Sequence, residues 1–484
     1  AAQDVAQCRV LTEEKFLEER PDTLIGSIEI EEKSVHAPSL DGASLRRQTV
    51  TCSVGVENCV GEMIANVGDC LHSDPAFLAN TSRGTGRKPS KAMVTVQRAG
   101  DTLTVRNEGS GITTSAHPET GEPVIKTLFG KMRAGTNFDG ADGEKRNPTA
   151  GRNGCGTAIV NILSDRFAVK VDDPGKGRFE IAWADGRSRV EKEKFSDRSP
   201  PKTGSVTVSA RLKWGYFGMP GFTDDAWRLA LRHVFDMAAY TGAKVRVRDG
   251  DDAKFDINLG KEPMLEYAKM HAGEGVAVAF DRVDSERGVA AFEVAAWLEA
   301  GEGASTTSGL VNGLRADEGK HAEFARKTIL DAVRAEVKAA RKKARSAGSD
   351  VVPPRLLEET VGVLVSVTLT NSQFDNQVKS RLKTTRSRWR LGGAAHPGWK
   401  PSAKFVKALK PVVDAVVARL DGVVERPKKV ASKSRLGQKY PKYTGARHAG
   451  SKEKRMRCRL IVTEGDSAKA MALSGARSRD DKDF

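Results

Sequence analysis

The segment Gly-Arg-Asn-Gly-Cys-Gly at residues 151–156 constrains the fold most strongly, because its glycines directly precede an apolar run. This pattern predicts a loop that opens a helix. Free backbone N–H groups at a helix N-terminus favour anions, so such a loop can bind phosphates. It is not a Walker A loop, since no Gly-Lys-Ser/Thr follows, and it lacks the GxGxxG spacing of a dinucleotide-binding loop. A single glycine loop is common, so other motifs must decide what it binds.

A helix is predicted over residues 56–71, because apolar residues recur there at helical spacing. Glu62 and Asn66 are four residues apart and lie together on another face, which continues with Asp69 and Cys70. A carboxylate beside an amide can serve as a general base and as an oxygen ligand for Mg²⁺. A solvated helix face is the alternative interpretation of the same pattern.

A β-hairpin is predicted at residues 93–107, where apolar and polar residues alternate on both sides of a Gly-Asp turn. Asn107 ends the second strand, and Gly109 and Gly111 follow it. Glycine permits backbone conformations that other residues avoid. Such a turn can hold a purine edge with Asn107 while the glycines let the ring approach, although the same sequence is also a common turn.

The net charge of +16 is concentrated in two segments. Residues 426–459 hold 13 Lys and Arg against one acid, and residues 379–390 hold six basic residues and no acid. Grouped basic residues usually face polyanions, with nucleic acid first. A solvated linker is the alternative for the longer segment.

Composition excludes several classes of protein. The six cysteines are scattered without a CxxC pair, which argues against zinc and a disulfide scaffold and favours a reducing compartment. No apolar run reaches 18 residues, so no transmembrane helix is expected. The first residues lack the basic and apolar regions of a signal peptide.

The order of the motifs carries a resemblance. A helix with Glu62 and Asn66, then a strand ending at Asn107, then the glycine loop together resemble the GHKL ATPases. Longer sequence motifs narrow the resemblance to the eukaryotic-type branch of the type IIA DNA topoisomerases. These motifs occur in the same order as in that family and cover nearly the whole chain. They lie at residues 19–29, 126–140, 151–158, 371–382 and 463–470.

The resemblance implies an α+β fold, with a GHKL (Bergerat) ATPase sandwich followed by a transducer domain that has a ribosomal-S5-like sheet and helices. The expected segments are the ATPase domain at 1–250, the transducer at 251–425, a basic linker at 426–456 and the start of a TOPRIM domain at 457–484. In that family the DxD acids and the nucleophilic tyrosine come later. We therefore expect no DNA-cleavage core in these residues.

The resemblance also implies roles at matching positions. Glu62 is expected to be the general base that activates water on the γ-phosphate of ATP, and Asn66 the Mg²⁺ ligand. Gln377 and Lys379 are expected on the loop by which the transducer reaches the ATP site. The other expected contacts are Asn107, Gly109 and Gly111 for adenine, Thr136 and Asn137 for ribose and phosphate, Arg152, Asn153, Gly154, Cys155 and Gly156 for the triphosphate, and Glu464 for a TOPRIM metal in an incomplete site.

The implied function is the ATP-driven clamp of such a topoisomerase. Mg·ATP would dimerise the ATPase domains around one DNA duplex, and hydrolysis would be coupled to its passage through another. Lys379 is expected to reach the γ-phosphate when the second domain moves towards the first. Duplex DNA and a second copy are the expected partners, with no membrane. The nucleus is the expected location, or the cytoplasm or a viral factory if the gene is viral.

Two departures from the family pattern keep alternatives open. Cys70 stands where a second Asn is usual, and Ala158 stands where a phosphate-binding lysine is usual. A DNA clamp that binds nucleotide with little turnover is therefore one alternative. Another GHKL enzyme, such as a mismatch-repair ATPase or a chaperone, is a second, although the motif at 463–470 argues against it.

Overall fold

The computed structural model describes residues 10–135, 148–151, 153–251, 253–285, 290–299, 307–344, 351–391, 394–422 and 462–463. By its internal contacts the chain separates into two units, residues 1–421 and 422–484, and all elements named below lie in the first. Among the described residues, no helix is long and apolar enough to cross a membrane.

Among the described residues, three helices have 18 residues or more: Val54–Ser73, Asp224–Thr241 and Lys320–Ala344. The α-helices are α1 (Glu13–Glu19), α2 (Val54–Ser73), α3 (Pro75–Leu78), α4 (Ser82–Thr85), α5 (Val124–Gly130), α6 (Gly156–Ile162), α7 (Asp224–Thr241), α8 (Pro263–Ala272), α9 (Lys320–Ala344), α10 (Pro354–Thr360), α11 (Ala403–Ala408) and α12 (Lys410–Leu420). Short 3₁₀ turns lie at Pro21–Thr23 and Arg386–Arg388.

The strands form an eight-stranded sheet, a five-stranded sheet and three two-stranded ribbons. The strands are β1 (Ile30–Pro38), β2 (Leu45–Ser53), β3 (Val94–Ala99), β4 (Thr102–Gly109), β5 (Ser164–Asp173), β6 (Gly177–Ala184), β7 (Arg189–Ser196), β8 (Gly204–Leu212), β9 (Val245–Asp249), β10 (Ala253–Ile257), β11 (Val278–Asp284), β12 (Ala290–Leu298), β13 (Thr307–Val311), β14 (Leu314–Arg315), β15 (Glu318–Gly319), β16 (Val361–Val367), β17 (Arg381–Leu382), β18 (Arg390–Leu391) and β19 (Ala394–Ala395). The large sheet has the order β10-β9-β3-β4-β8-β5-β6-β7, and the smaller has β11-β12-β16-β13-β14.

Helices α2 and α7 pack together and belong to the core of the large sheet. The hydroxyl of Ser53 caps α2 by accepting from the Val56 N–H at 3.2 Å, and Thr223 caps α7 in the same way. Gly242 ends α7 in the left-handed conformation that glycine tolerates best. The apolar stripe of α2 is buried, so its other face is free to carry polar side chains. That stripe consists of Val60, Met63, Ile64 and Val67.

The second core lies between the five-stranded sheet and the long helix α9. All seven residues of β16 are buried, because β12 and β13 flank it and α9 packs on it. The buried face of α9 includes Ile329, Val333 and Val337, and α12 packs against the same helix. Pro411 lies in the first turn of α12, a position that proline tolerates, and α11 ends at Ala408 just before it.

Buried ion pairs join the first half of the fold (α1 to α8) to the second half (β11 to α12). Arg83 donates twice to the carboxylate of Glu293 on β12, at 2.7 and 2.8 Å. Arg315 on β14 donates its Nε to Asp236 on α7 at 2.8 Å, and the Tyr267 hydroxyl donates to the same carboxylate. Loss of one partner of a buried pair is costly because the other charge remains uncompensated. These contacts therefore hold the two halves in a defined arrangement.

The α+β organisation agrees with the prediction, but the first sheet extends beyond the predicted boundary. Strand β10 pairs antiparallel with β9, and the Phe255 side chain packs on the first core. The turn at Gly250 therefore lies inside a hairpin of the large sheet. A division between the halves near residue 272, where α8 ends, fits the two sheets better than one at 250.

Candidate active site

Glu62 and Lys379 form an ion pair between the two halves. The Lys379 Nζ lies 3.4 Å from Glu62 Oε2, and the side chains are only 7% and 19% exposed. Glu62 lies on the polar face of α2. Lys379 ends residues 371–379, which we name the coupling loop. Its backbone has a φ of 61°, and its N–H donates to the Asn376 carbonyl and Oδ1 at 3.2 and 3.1 Å. The loop backbone thus directs Lys379 at the carboxylate.

Glycines allow the 151–156 loop to approach this carboxylate closely. A Cβ on Gly156, the first residue of α6, would lie 1.9 Å from Glu62 Oε1, so no larger side chain fits without moving Glu62. Gly154 has a φ of 58°, and a Cβ there would lie 2.4 Å from the Ala134 carbonyl oxygen. The backbone of the loop therefore packs against Glu62 on one side and the residues after α5 on the other.

A second side chain of the coupling loop reaches the glycine loop. The Asn153 Nδ2 donates to Gln377 Oε1 at 2.7 Å. Gln377 and Lys379 thus contact Asn153 and Glu62 respectively. A cavity of about 50 Å³ lies between these groups and is also lined by His233 and Arg315.

The predicted purine pocket contains an unexpected pair. Strand β4 continues to Gly109, two residues beyond the predicted end at Asn107. Asn107 is buried and its Nδ2 donates to Cys70 Sγ at 3.8 Å. Burial raises the pKa of the Cys70 thiol to about 12, so the thiol is neutral at physiological pH. Gly109 is needed because a Cβ would lie 2.1 Å from Asp74 Oδ2, and Gly111 has a φ of 80°. Cys70 thus contacts a residue that was predicted to line the adenine pocket.

Asp69 holds the start of the glycine loop, a role that the sequence did not reveal. Its carboxylate accepts from the N–H groups of Ala150 and Gly151 at 2.7 and 2.9 Å. Burial raises the pKa of the Asp69 carboxyl to about 7, and these hydrogen bonds only partly oppose that rise. Asp69 lies two turns beyond Glu62 on α2, so one helix face carries both carboxylates.

Asn312 was also missed, and it links the glycine loop to the strand before the coupling loop. Its Nδ2 donates to the carbonyls of Thr149 and Leu369, both at 2.9 Å, and its Oδ1 accepts from the Leu369 N–H at 2.8 Å. The side chain is buried, and the backbone φ is 53°. The only sequence signal is the dipeptide Asn312-Gly313, which predicts a turn between strands and not a contact.

Replacement of Asn312 by glycine tests this link. Glycine keeps the left-handed backbone but leaves the Thr149 and Leu369 groups without their buried partner. We expect the free energy of unfolding in urea to fall by about 1–3 kcal/mol. The KM for ATP should rise in the same variant, because the glycine loop loses an anchor. Asp185→Gly is the matched control, since Asp185 has a φ of 51° but is exposed. Equal effects of both changes would contradict a role for the amide.

The remaining predicted residues fall into two groups. Asn66 is half-buried one turn from Glu62, and Cys155 lies in the glycine loop with its Sγ donating to the Asn153 carbonyl at 3.1 Å. The others lie outside the described residues: Thr136, Asn137, Arg152 and Glu464. The basic linker and the TOPRIM segment lie almost wholly outside them as well.

The donor set near Glu62 fits a magnesium ion that arrives with a nucleotide. Glu62 and Asn66 offer a carboxylate and an amide oxygen on one helix face. Mg²⁺ is usually held by one or two protein oxygens together with phosphates and water. Among the described residues, no group of three or more His, Cys, Asp or Glu could hold a metal alone. Gly156, at the start of α6, brings the glycine loop against the same carboxylate.

Comparison with solved structures defines the class. The fold matches the ATPase and transducer domains of DNA topoisomerase II from Balamuthia mandrillaris with a TM-score of 0.69 and 23% identity, covering 86% of this chain and 98% of that one. The chain therefore shares the GHKL and transducer folds of those domains, and the predicted fold class is confirmed.

Sequence comparison narrows the class. The chain is similar to DNA topoisomerase 2 of Penicillium chrysogenum, with 23% identity over 467 residues, 96% of this chain and 28% of that protein. It is also similar to DNA topoisomerase 2 of Acanthamoeba polyphaga mimivirus, with 26% identity over 471 residues, 94% of this chain and 34% of that protein. No family model matches. The predicted resemblance to the type IIA DNA topoisomerases is confirmed, over about a third of these relatives' length.

Proposed function

We propose that this chain is the ATP-binding and ATP-hydrolysing clamp of a type IIA DNA topoisomerase. The observation that carries the proposal is the ion pair of Lys379 with Glu62. Lys379 belongs to the second half and pairs with Glu62 of the first half. The site is therefore complete only when the two halves lie in this arrangement. The similarity to topoisomerases supports duplex DNA as substrate and Mg·ATP as the energy source.

Glu62 is the proposed general base. Its carboxylate accepts the proton of the water that attacks the γ-phosphate, which is the chemistry a positioned carboxylate supplies. The other buried glutamate of α2, Glu57, is a poor proton acceptor. Burial alone would raise its pKa, but the charges of Arg232 and Lys33 hold that pKa at about 2. Magnesium, when bound, would neutralise phosphate charge, and Asn66 is the residue that would hold it.

Lys379 is the proposed switch between the halves. In the structure its ammonium neutralises Glu62. A γ-phosphate offers a more highly charged partner, so its binding would draw Lys379 away from the carboxylate and leave Glu62 free to accept a proton. Loss of the phosphate after hydrolysis returns the lysine to Glu62. Gln377 and Asn312 connect the same movement to the glycine loop.

The clamp model also proposes partners and a division of the chain. ATP would bring two copies together through the first half, and duplex DNA would be held between them. The proposed segments are an ATPase domain, a transducer, a basic linker at 426–456 and the start of a TOPRIM domain at 457–484. We propose the nucleus as the location, or the cytoplasm or a viral factory for a virus-encoded protein.

Release of inorganic phosphate from ATP, measured with and without duplex DNA, tests the function. The proposal expects magnesium-dependent turnover that DNA increases. One observation favours the alternative of a clamp with little turnover: Ala158 is fully buried and apolar where a lysine was expected beside the phosphates. Tight ATP binding with no phosphate release, at any DNA concentration, would establish that alternative.

A further inference from the structure

Four cations on the segment after the coupling loop are exposed and have no carboxylate partner among the described residues. We name this set the basic ridge: Lys383, Arg386, Arg388 and Arg390. Arg381, just before it, differs because its Nε donates to Glu318 at 2.9 Å. Arg390 contacts only backbone carbonyls, and Arg386 lies over the ring of Phe324. The ridge is thus an uncompensated patch of positive charge.

The ridge is built on a buried tryptophan. Trp389 is 1% exposed, and its Nε1 donates to the Thr384 carbonyl at 2.9 Å. Its ring stacks with Phe292 at 6.1 Å between centroids and meets Phe324 edge-on at 5.9 Å. The cations are therefore displayed from an ordered segment, so binding of a partner does not carry the full entropic cost of ordering it.

The same segment is bonded to the coupling loop. The Gln373 N–H donates to Thr384 Oγ1 at 2.7 Å, and the Lys383 N–H donates to the Gln373 carbonyl at 2.8 Å. A β-bridge joins Phe374 to Leu382. Only three residues separate Lys379 from Lys383. A displacement of the basic ridge would therefore also displace Lys379.

We propose that the basic ridge binds the phosphates of duplex DNA, and that this contact is transmitted to Lys379. The inference rests on the proposed function and adds to it where DNA acts on the ATP site. Four exposed cations without carboxylate partners among the described residues lie on one ordered segment, with the Trp389 ring turned inward, and this arrangement suits a phosphate backbone.

A second basic hollow fits this role less well. A space of about 470 Å³ on the large sheet is lined by Lys91, Arg106, Lys244 and Arg246. Those cations are already paired with Glu108 and Asp256, at distances of 2.6 to 3.0 Å. Paired charges release fewer counterions on contact with phosphate, so the ridge is the stronger candidate.

Charge removal tests the ridge in the full chain. One variant changes all four cations to glutamine. A second changes only Lys383 and Arg388, because Arg386 lies over the Phe324 ring and Arg390 donates to backbone carbonyls, so this variant removes no such contact. The control changes four exposed cations on or just after the edge strand β7 to glutamine: Arg189, Lys192, Lys194 and Arg198. Affinity for a fluorescent duplex is measured against salt, and phosphate release is measured with and without that duplex.

Each lost phosphate contact should lower the slope of log affinity against log salt by about 0.9, so the double variant should lose roughly 2 and the quadruple variant nearly 4. Both variants should retain DNA-free turnover and lose the response to DNA, unlike the control.

If the slopes are unchanged, or if the control loses as much, the basic ridge is not the DNA-binding surface. A reduced slope with an intact response to DNA would overturn the transmission to Lys379. Tighter retention of single-stranded RNA than of duplex DNA would assign the ridge to another partner. Absence of turnover in the parent chain would instead reject the proposed function.

Discussion

Replacement of Glu62 by glutamine is expected to lower ATP turnover by about 10²–10⁴-fold, the usual cost of removing a general base. Glutamine has nearly the same shape, so its contact with Gly156 is retained, but it cannot take up a proton from water. ATP binding should stay within about twofold of the parent chain, because the base acts in the transition state. Phosphate release under saturating ATP and binding of a fluorescent nucleotide measure the two effects.

Glu266→Gln is the control for this prediction. Glu266 is also paired with a lysine, at 2.8 Å, but lies exposed on α8 away from the glycine loop. Turnover by Glu62→Gln within roughly tenfold of the parent would reject Glu62 as the base. Asp69 would then be the next carboxylate to test, since it lies on the same helix face and burial raises its pKa to about 7.

The elements with strong periodicity could be predicted from the sequence. The helix predicted at 56–71 and the hairpin predicted at 93–107 both lie where their patterns place them. The patterns were sufficient because each element buries one face and has a cap or turn of its own. The boundary at Gly250 was misplaced for the opposite reason: a Gly-Asp-Asp turn is the same in a hairpin and in a linker. Only the pairing of β10 with β9 distinguishes them.

Residues of the candidate active site could be named from the sequence only where the family resemblance gave a matching position. Glu62 and Lys379 are 317 positions apart, and no local pattern connects them. Asn312 and Asp69 show the limit clearly. Both act by satisfying backbone groups of another segment, and such contacts depend on tertiary proximity. An asparagine before a glycine predicts a turn, and an aspartate on a polar helix face predicts solvation. Neither pattern indicates a partner in a distant loop.

Charge patterns gave a mixed result for a related reason. The basic segment at 379–390 is a single run in the sequence, but the fold divides it by function. Lys379 is buried against Glu62, Arg381 is paired with Glu318, and the later cations are exposed. Whether a charge is compensated depends on acids elsewhere in the chain. Counting charges along the sequence could not separate the coupling residue from the ridge.

Replacement of Lys379 is expected to abolish ATP-driven dimerisation and to remove most hydrolysis. Ala158 leaves the glycine-loop helix without a lysine, and Lys379 is the described cation that pairs with Glu62, the proposed general base. A charge-assisted contact contributes about 1.5–3 kcal/mol, which is roughly 10 to 150-fold in an equilibrium constant. The loss should be larger here than in a site with two lysines, because the only other motif cation expected near the triphosphate is Arg152, which lies outside the described residues.

Two variants separate charge from packing. Lys379→Ala removes the whole side chain, and Lys379→Met keeps the apolar stem while removing the ammonium. Each leaves an L-residue at a φ of 61°, so backbone strain is common to both. Lys410→Ala is the control, since Lys410 forms an exposed pair with Asp414 on α12. Sedimentation with a non-hydrolysable ATP analogue should show a dimer for the parent and the control, and a monomer for both Lys379 variants. A dimer of either variant at the parental nucleotide concentration would show that another cation holds the γ-phosphate, and that the two halves communicate by a different contact.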